Sequence, residues 1–359
     1  MPRSCPPWGK LPSMKTRDTA VPHNGPIGQR FADRFDIVGT IGEGAMGRVY
    51  RARDDETGEW VALKLLQPEH VANDELIGRF NREMRATAQI DHPNTTRVVD
   101  YGEFDGVLYL AMELIEGTPL DELIVDEAPM SEARTVRLGS QIACALAAAH
   151  AQSFIHRDLK PENILVTDGD RVKVLDFGLA AVLDRADATR LTSNGLRVGT
   201  PLFMAPEYIE GKPADHRVDL YALGVVLYML VAGRAPFLGS GYTLLHRAVT
   251  EEPPPPSELA PGCPSWLDAI ILRLMDKDPD KRLQSAEEVL SLLQLGVTAH
   301  APSQPPFHMT ESMVRELGLE LPPPPKKGPS PLRLLIVATL GLGMGLSLGA
   351  ALLALWWWS

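Results

Sequence analysis

Gly42, Gly44 and Gly47 in "IGEGAMGRVY" fit the pattern G-x-G-x-x-G, with Val49 two residues later. Glycines let backbone N–H groups come close to phosphate oxygens, so the spacing points to a bound nucleotide. Dinucleotide folds use similar spacing, but there the glycines open a helix. Here "RVYRARD" follows and reads as a strand, which favours a hairpin lid over a nucleotide. Lys64 in "VALK" lies on another strand pattern, beside Val61 and Leu63. A lysine in that setting needs an anion, and Glu83 in the following segment is a candidate. The alternative is a strand-edge lysine in water, since surface lysines are common. Further on, His156 sits two residues before Asp158, a pairing that by itself would suggest hydrolysis.

These residues need elements to hold them. From Arg34 to about Gln67, "FDIVGTI", "RVYRARD" and "EWVALKLL" predict short strands, with turns at Gly42–Gly47 and Asp55–Gly58. "NDELIGRFNREMRATAQI" predicts a helix, with Leu76, Phe80, Met84 and Ala88 at four-residue steps. "RVVDYGEFDGVLYLAMEL" predicts a hairpin turning at Asp105-Gly106. After Gly117 the pattern is mostly helical. Ser131 is an N-cap candidate for "SEARTVRLGSQIACALAAAHAQ". "DLYALGVVLYMLVAG" is apolar all round the helix and too short to span a bilayer, so it predicts a buried core helix. A strand-rich first part and a helix-rich second part predict an α+β class with two lobes.

Composition narrows the function. Of 359 residues, 46 are acidic and 35 basic, a formal charge of -11 that argues against nucleic-acid binding through a broad basic face. Cys5, Cys144 and Cys263 are far apart and form no C-x-x-C pair, which argues against a disulfide framework or thiolate metal site and fits a reducing compartment. Residues 1–34 read as a flexible extension with no apolar signal region, and Met14 is an alternative start.

The stretch "HRDLKPENILV" is followed by "KVLDFGLA" and then "GTPLFMAPE". With the glycine pattern and V-A-x-K before them, these complete an ordered set of five motifs. In this the chain resembles the bacterial eukaryotic-like (Hanks-type) serine/threonine protein kinases, over about residues 35–295. The resemblance implies a bilobal protein-kinase fold, with a β-rich lobe at about 35–112 and a mainly helical lobe at about 116–295. It implies ATP as phosphate donor, Mg²⁺ or Mn²⁺, and protein substrates with Ser or Thr hydroxyls. By the same resemblance Ile41, Gly42, Glu43, Gly44, Ala45, Met46, Gly47, Val49 and Ala62 line the nucleotide, and Lys64, held by Glu83, binds its α/β-phosphates. Glu113 to Ile115 form the adenine hinge after Met112. Asp176 and Asn163 hold the metal, Asp158 accepts the hydroxyl proton, Lys160 steadies the transferred phosphate and Thr200 helps present the hydroxyl. The motif makes His156 a packed loop residue, pairs Glu207 with Arg282, and has Asp219 hold the catalytic loop.

Two other functions are compatible with such a fold. An inactive scaffold would be expected to lack one of Lys64, Glu83, Asp158, Asn163 or Asp176, and all five are present. A small-molecule phosphotransferase would be expected to lack "GTPLFMAPE". Arg157 before Asp158 implies, again by resemblance, a loop switched by phosphate. The expected acceptor is Thr192 or Ser193, with Thr189 next.

Proline-rich "HAPSQPPFH" and "LPPPPKKGPSP" predict a stiff linker over 296–331, with order fading near Leu295. Residues 332–358 are expected to be a transmembrane helix. Leu334 to Leu355 carry no charge, and 22 residues at ~1.5 Å each span roughly 33 Å. Lys326, Lys327 and Arg333 precede the segment, which puts the kinase domain in the cytoplasm, and Trp356, Trp357 and Trp358 suit the far interface. With Ser359 alone after it, the segment is expected to be an anchor rather than a link to an outer sensor. Gly341, Gly345 and Gly349 form a small-residue face that suits a homodimer seam within membrane lipid.

Overall fold

Alternation of buried and exposed residues builds one antiparallel sheet from the first part of the chain. The computed structural model describes residues 27–44, 47–66, 74–177 and 201–300. Its strands are β1 (Arg30–Phe31), β2 (Phe35–Gly44), β3 (Gly47–Asp54), β4 (Trp60–Leu66), β5 (Val98–Phe104) and β6 (Val107–Glu113), in the order β1-β2-β3-β4-β6-β5. The period of two sorts side chains to opposite faces. Leu108, Leu110 and Met112 pack with Leu66 against Phe80 and Met84 of α1 (Asp74–Thr87). Tyr109 and Ala111 join Phe35, Ile37, Val61 and Leu63 on the other face. Burying a side chain such as Phe80 contributes about 1.5–3 kcal/mol, as an upper estimate.

Local signals account for the turns and caps. Asp105 and Gly106 have φ of 54° and 77°, the positive pair that a two-residue hairpin requires, and Phe104 faces Val107. The expected helix after β4 differs at its end. Ala88 donates to Met84, but Gln89 and Ile90 donate to Ala86 and Thr87, three residues back. That tightened end turns Ala88 to solvent and carries Ile90 into the core instead.

The second part is helical around a small sheet of β7 (Thr118–Pro119), β8 (Ile164–Thr167) and β9 (Arg171–Val174). Its helices are α2 (Leu120–Glu127), α3 (Glu132–Ala151), α4 (Pro206–Ile209), α5 (Arg217–Ala232), α6 (Gly241–Thr250), α7 (Pro256–Leu259), α8 (Ser265–Leu274) and α9 (Ala286–His300). Ser131 caps α3, its Oγ accepting from the Arg134 N–H at 3.3 Å. Every residue of α5 from Val218 to Val231 is buried, so the helix that is apolar all round is the centre of the core. Order does not fade at Leu295: α9 continues to His300 with Leu295 and Val297 exposed.

The linker beyond His300, the segment 332–358, Thr189, Thr192, Ser193 and Thr200, and Ala45 and Met46 of the glycine turn lie outside the described residues. Among the described residues no helix is long and apolar enough to cross a membrane.

Candidate active site

The glycine pattern forms a hairpin. Gly44 faces Gly47, Glu43 faces Arg48 and Gly42 faces Val49 across β2 and β3, with register shifts between Ile37 and Gly39 and between Thr40 and Gly42. No helix opens at the glycines, so the dinucleotide alternative falls. Gly47 has φ 149°, and a Cβ there would lie 2.1 Å from the Leu65 carbonyl oxygen on β4. The absent side chain is what lets the hairpin lie against β4.

Lys64 lies on β4 beneath that hairpin, opposite Val49, and is buried. Its Nζ donates to Asp176 Oδ2 at 2.6 Å. The expected ion pair with Glu83 is not formed among the described residues. Glu83 lies on α1, where its backbone carbonyl accepts from the Thr87 hydroxyl at 3.0 Å, while the Asp176 carboxylate stands within reach of the ammonium. Asp176 has φ 57°, a costly conformation for a residue other than glycine, and the next residue, Phe177, is buried against His156 with ring centroids 4.6 Å apart.

The loop between α3 and β8 carries the other candidate residues, and Asp219 at the start of α5 holds it. The Asp219 carboxylate accepts from the N–H of His156 (2.8 Å), the N–H of Arg157 (2.8 Å) and Nε2 of His150 (2.9 Å). Burial alone would raise the Asp219 pKa. The hydrogen bond and charge of His150, with the Arg157 N–H, outweigh burial and hold the carboxyl below its usual range. The same grip keeps Arg157 at φ 65°. His156 is fully buried, with Nε2 bonded to the Leu175 carbonyl at 2.9 Å and Nδ1 accepting from the Asp158 N–H at 3.3 Å. Both ring nitrogens are committed to backbone, so His156 is not a base.

Asp158 Oδ2 accepts from Lys160 Nζ at 2.7 Å and from Asn163 Nδ2 at 3.1 Å. Asn163 Nδ2 also donates to the Asp158 carbonyl at 2.8 Å. The carboxylate is therefore fixed through one oxygen, and among the described residues Oδ1 is left unclaimed. Asn163 spends its amide donor on Asp158, which leaves its Oδ1 as a hard oxygen donor. The Asp176 carboxylate is a second hard oxygen donor. Such a pair suits Mg²⁺, which keeps waters and phosphate oxygens in its shell, better than a metal that needs a full protein cage. Beside Asn163, burial pushes the Glu162 carboxyl up, and the charges of Asp121 and Asp158 add to that rise.

The end of β6 is the expected hinge. Met112 is buried and pairs with Ala62 of β4. Glu113 N–H donates to the Arg97 carbonyl at 3.0 Å, and Glu113 Oε1 accepts from the Arg97 N–H at 3.0 Å and from Lys173 Nζ at 2.7 Å. Sequence reasoning missed Lys173 and His150. A lysine on a strand and a histidine in an alanine-rich helix carry no local pattern that names a partner. Glu207 and Arg282 pair as expected, with both Nη groups at 2.6 Å from the carboxylate.

The family model described as "Protein kinase domain" matches residues 35–292. The serine/threonine-protein kinase pkn3 of Myxococcus xanthus is 41% identical over 279 residues, which covers 75% of this chain and 51% of that protein. The serine/threonine-protein kinase PrkC of Bacillus subtilis is 36% identical over 264 residues, 73% of this chain and 40% of that protein. The chain thus spans about half or less of the length of these relatives. The crystal structure of the Mycobacterium tuberculosis PknI kinase domain superposes with a TM-score of 0.60 at 29% identity, over 74% of this chain and 97% of that one.

Proposed function

The chain belongs to the protein kinase domain family, and on that premise we propose that it transfers the γ-phosphate of ATP to serine and threonine hydroxyls of proteins. The observation that carries the reading is the fixed Asp158 carboxylate, held through Oδ2 by Lys160 and Asn163. Oδ1 is then directed to take the proton of an incoming hydroxyl as the oxygen attacks phosphorus. Positioning of this kind accounts for most of what a phosphoryl-transfer enzyme supplies. Mg²⁺, when bound, neutralises charge on the phosphates. Asn163 Oδ1 and Asp176 are the residues that would hold it. Lys64 is read as binding the α/β-phosphates and Lys160 as steadying the transferred phosphate, and the β2–β3 hairpin as covering the phosphates with backbone N–H groups. The hinge offers backbone donors: the Leu114 and Ile115 N–H groups make no backbone bond among the described residues. Thr200 is read as presenting the acceptor hydroxyl, and Thr192 or Ser193 as the site of activating autophosphorylation.

The same reading extends to location. The uncharged run Leu334–Leu355, flanked by Lys326, Lys327 and Arg333 on one side and by three tryptophans on the other, supports a single membrane helix with the kinase domain in the cytoplasm. Gly341, Gly345 and Gly349 support pairing of two such helices. Gly345→Leu is expected to lower self-association in a membrane reporter.

The test is transfer of label from γ-labelled ATP with Mg²⁺, using the full chain beside Asp158→Asn. Label on Ser or Thr should appear with the parent, and the variant should be slower by about 10²–10⁴-fold, the usual contribution of a positioned acid or base. No label with either protein refutes the reading.

A further inference from the structure

We propose that Lys173 is a positioning residue for nucleotide binding, acting from β9 on the hinge through the carboxylate of Glu113. The inference rests on the kinase reading, because it takes the segment after Met112 as the adenine hinge. Lys173 Nζ donates to Glu113 Oε1 at 2.7 Å and to the Thr95 carbonyl at 3.1 Å. The same Oε1 accepts from the Arg97 N–H, and the Glu113 N–H returns to the Arg97 carbonyl, both at 3.0 Å. One ammonium therefore ties together the end of β6, the segment leading into β5, and β9.

The strand that carries Lys173 also delivers Asp176. Val174 donates to the Asn94 carbonyl at 2.8 Å and accepts from the Thr96 N–H at 3.1 Å, so β9 and residues 94–96 are held together by backbone as well. Lys173 thus stands where the metal-side segment and the start of the hinge meet. Lys173 and Glu113 are only 24% and 26% exposed, so water screens their pair less than it would a surface pair.

Neither side chain touches a reacting atom. Their effect must pass through the backbone that follows Glu113, where the Leu114 and Ile115 N–H groups make no backbone bond among the described residues. Without Lys173 the carboxylate keeps one donor, the hinge samples more conformations, and ordering it on binding costs more. The chemical step at Asp158 does not depend on that ordering once the nucleotide is bound. The signature is a rise in KM for ATP with kcat little changed, which a general loss of folding would not give.

The experiment compares the full chain with Lys173→Met, Glu113→Gln, the double variant and Lys173→Arg. It measures steady-state phosphate transfer against ATP, direct binding of a fluorescent ATP analogue, and thermal midpoints. Lys173→Met should raise both KM for ATP and Kd for the analogue about three- to tenfold, with kcat within about twofold. Lys173→Arg keeps the charge and should return both constants to within about twofold of the parent. Glu113→Gln keeps an oxygen acceptor and loses only the charge, so its effect should be the smaller, and the double variant should match Lys173→Met, because both changes act through the same contact. Unchanged KM and Kd in Lys173→Met, a fall in kcat at constant KM, or additive effects in the double variant would each overturn the proposal. If the parent binds the analogue but transfers no phosphate, the kinase reading fails, and the binding arm still decides the role of Lys173.

Discussion

Arg282 donates from both Nη groups to the carboxylate of Glu207 at 2.6 Å, and its other three donors reach the carbonyls of Asp276, Arg217 and Lys277. All five guanidinium N–H groups are satisfied, and the side chain has no solvent exposure. The guanidinium also lies 5.1 Å from the ring centre of Tyr221 on α5. The pair thus joins α4 to the core helix.

Removing Arg282 leaves Glu207 as a buried charge with no counter-ion. Arg282→Met should therefore cost about 3–5 kcal/mol, the range for breaking one side of a buried pair. Thermal unfolding of the full chain would measure it. Replacing both residues by apolar side chains should cost less than the single change, since no charge is then stranded. A double variant as unstable as Arg282→Met would show that packing, rather than charge, sets the loss.

Asp219 holds the loop that carries Asp158 through three donors on two oxygens. The Arg157 N–H uses Oδ1 while the His156 N–H and His150 use Oδ2, so in Asp219→Asn, where one oxygen becomes an amide nitrogen, one of these two sets loses its acceptor. Each buried donor left unmet costs about 1–3 kcal/mol, and either orientation of the amide removes a backbone bond, at His156 or at Arg157, from the turn in which Arg157 has φ 65°. The expected result is a fall in kcat of about tenfold or more with KM for ATP little moved, since the loop places Asp158 rather than the nucleotide. A variant with the parent's kcat would mean that the loop keeps its shape without Asp219.

Much of this arrangement was legible in the residues, for reasons that are local. A strand after the glycines, the Asp105-Gly106 turn, the Ser131 cap and the all-apolar α5 each depend on a few neighbouring positions. The Lys64 partner was not legible, because Glu83 and Asp176 both carry the right charge. The choice is set by how segments 112 residues apart approach, and Asp176 takes the bond. The same holds for Lys173 on Glu113, 60 residues apart in the chain. Ala88 was misread because a four-residue step does not register where a helix tightens and stops.

Asp54 gives a pH dependence whose sign follows from its partner. Arg34 donates to both of its oxygens at 2.7 and 2.8 Å. That hydrogen bonding, opposed by burial and helped by Thr57 and the Glu56 N–H, lowers the carboxyl from 3.8 to about 2. A carboxyl held below its unfolded value favours the folded state when ionised. Its contribution is complete above the unfolded value of 3.8 and is lost as pH falls towards about 2. The thermal midpoint should drop over that interval, and Asp54→Asn should be less stable at neutral pH with a shallower acid loss. Parallel pH profiles for the parent and the variant would exclude Asp54 as a source of the acid sensitivity.

Gly44 and Gly47 face each other across the hairpin, yet they should respond differently to the same substitution. At Gly47 the backbone has φ 149°, and a Cβ would sit 2.1 Å from the Leu65 carbonyl oxygen, a backbone atom that no rotamer change can move. Gly47→Ala should push β3 away from β4, next to Lys64, and cost at least about 2 kcal/mol. At Gly44 nothing lies within 4 Å of an added Cβ. Gly44→Ala should leave stability within about 0.5 kcal/mol of the parent, as expected for a surface change. Urea unfolding of the two variants side by side makes the comparison. Equal losses would mean that the hairpin is sensitive to side-chain bulk in general, and that the approach of Gly47 to Leu65 does not set its position.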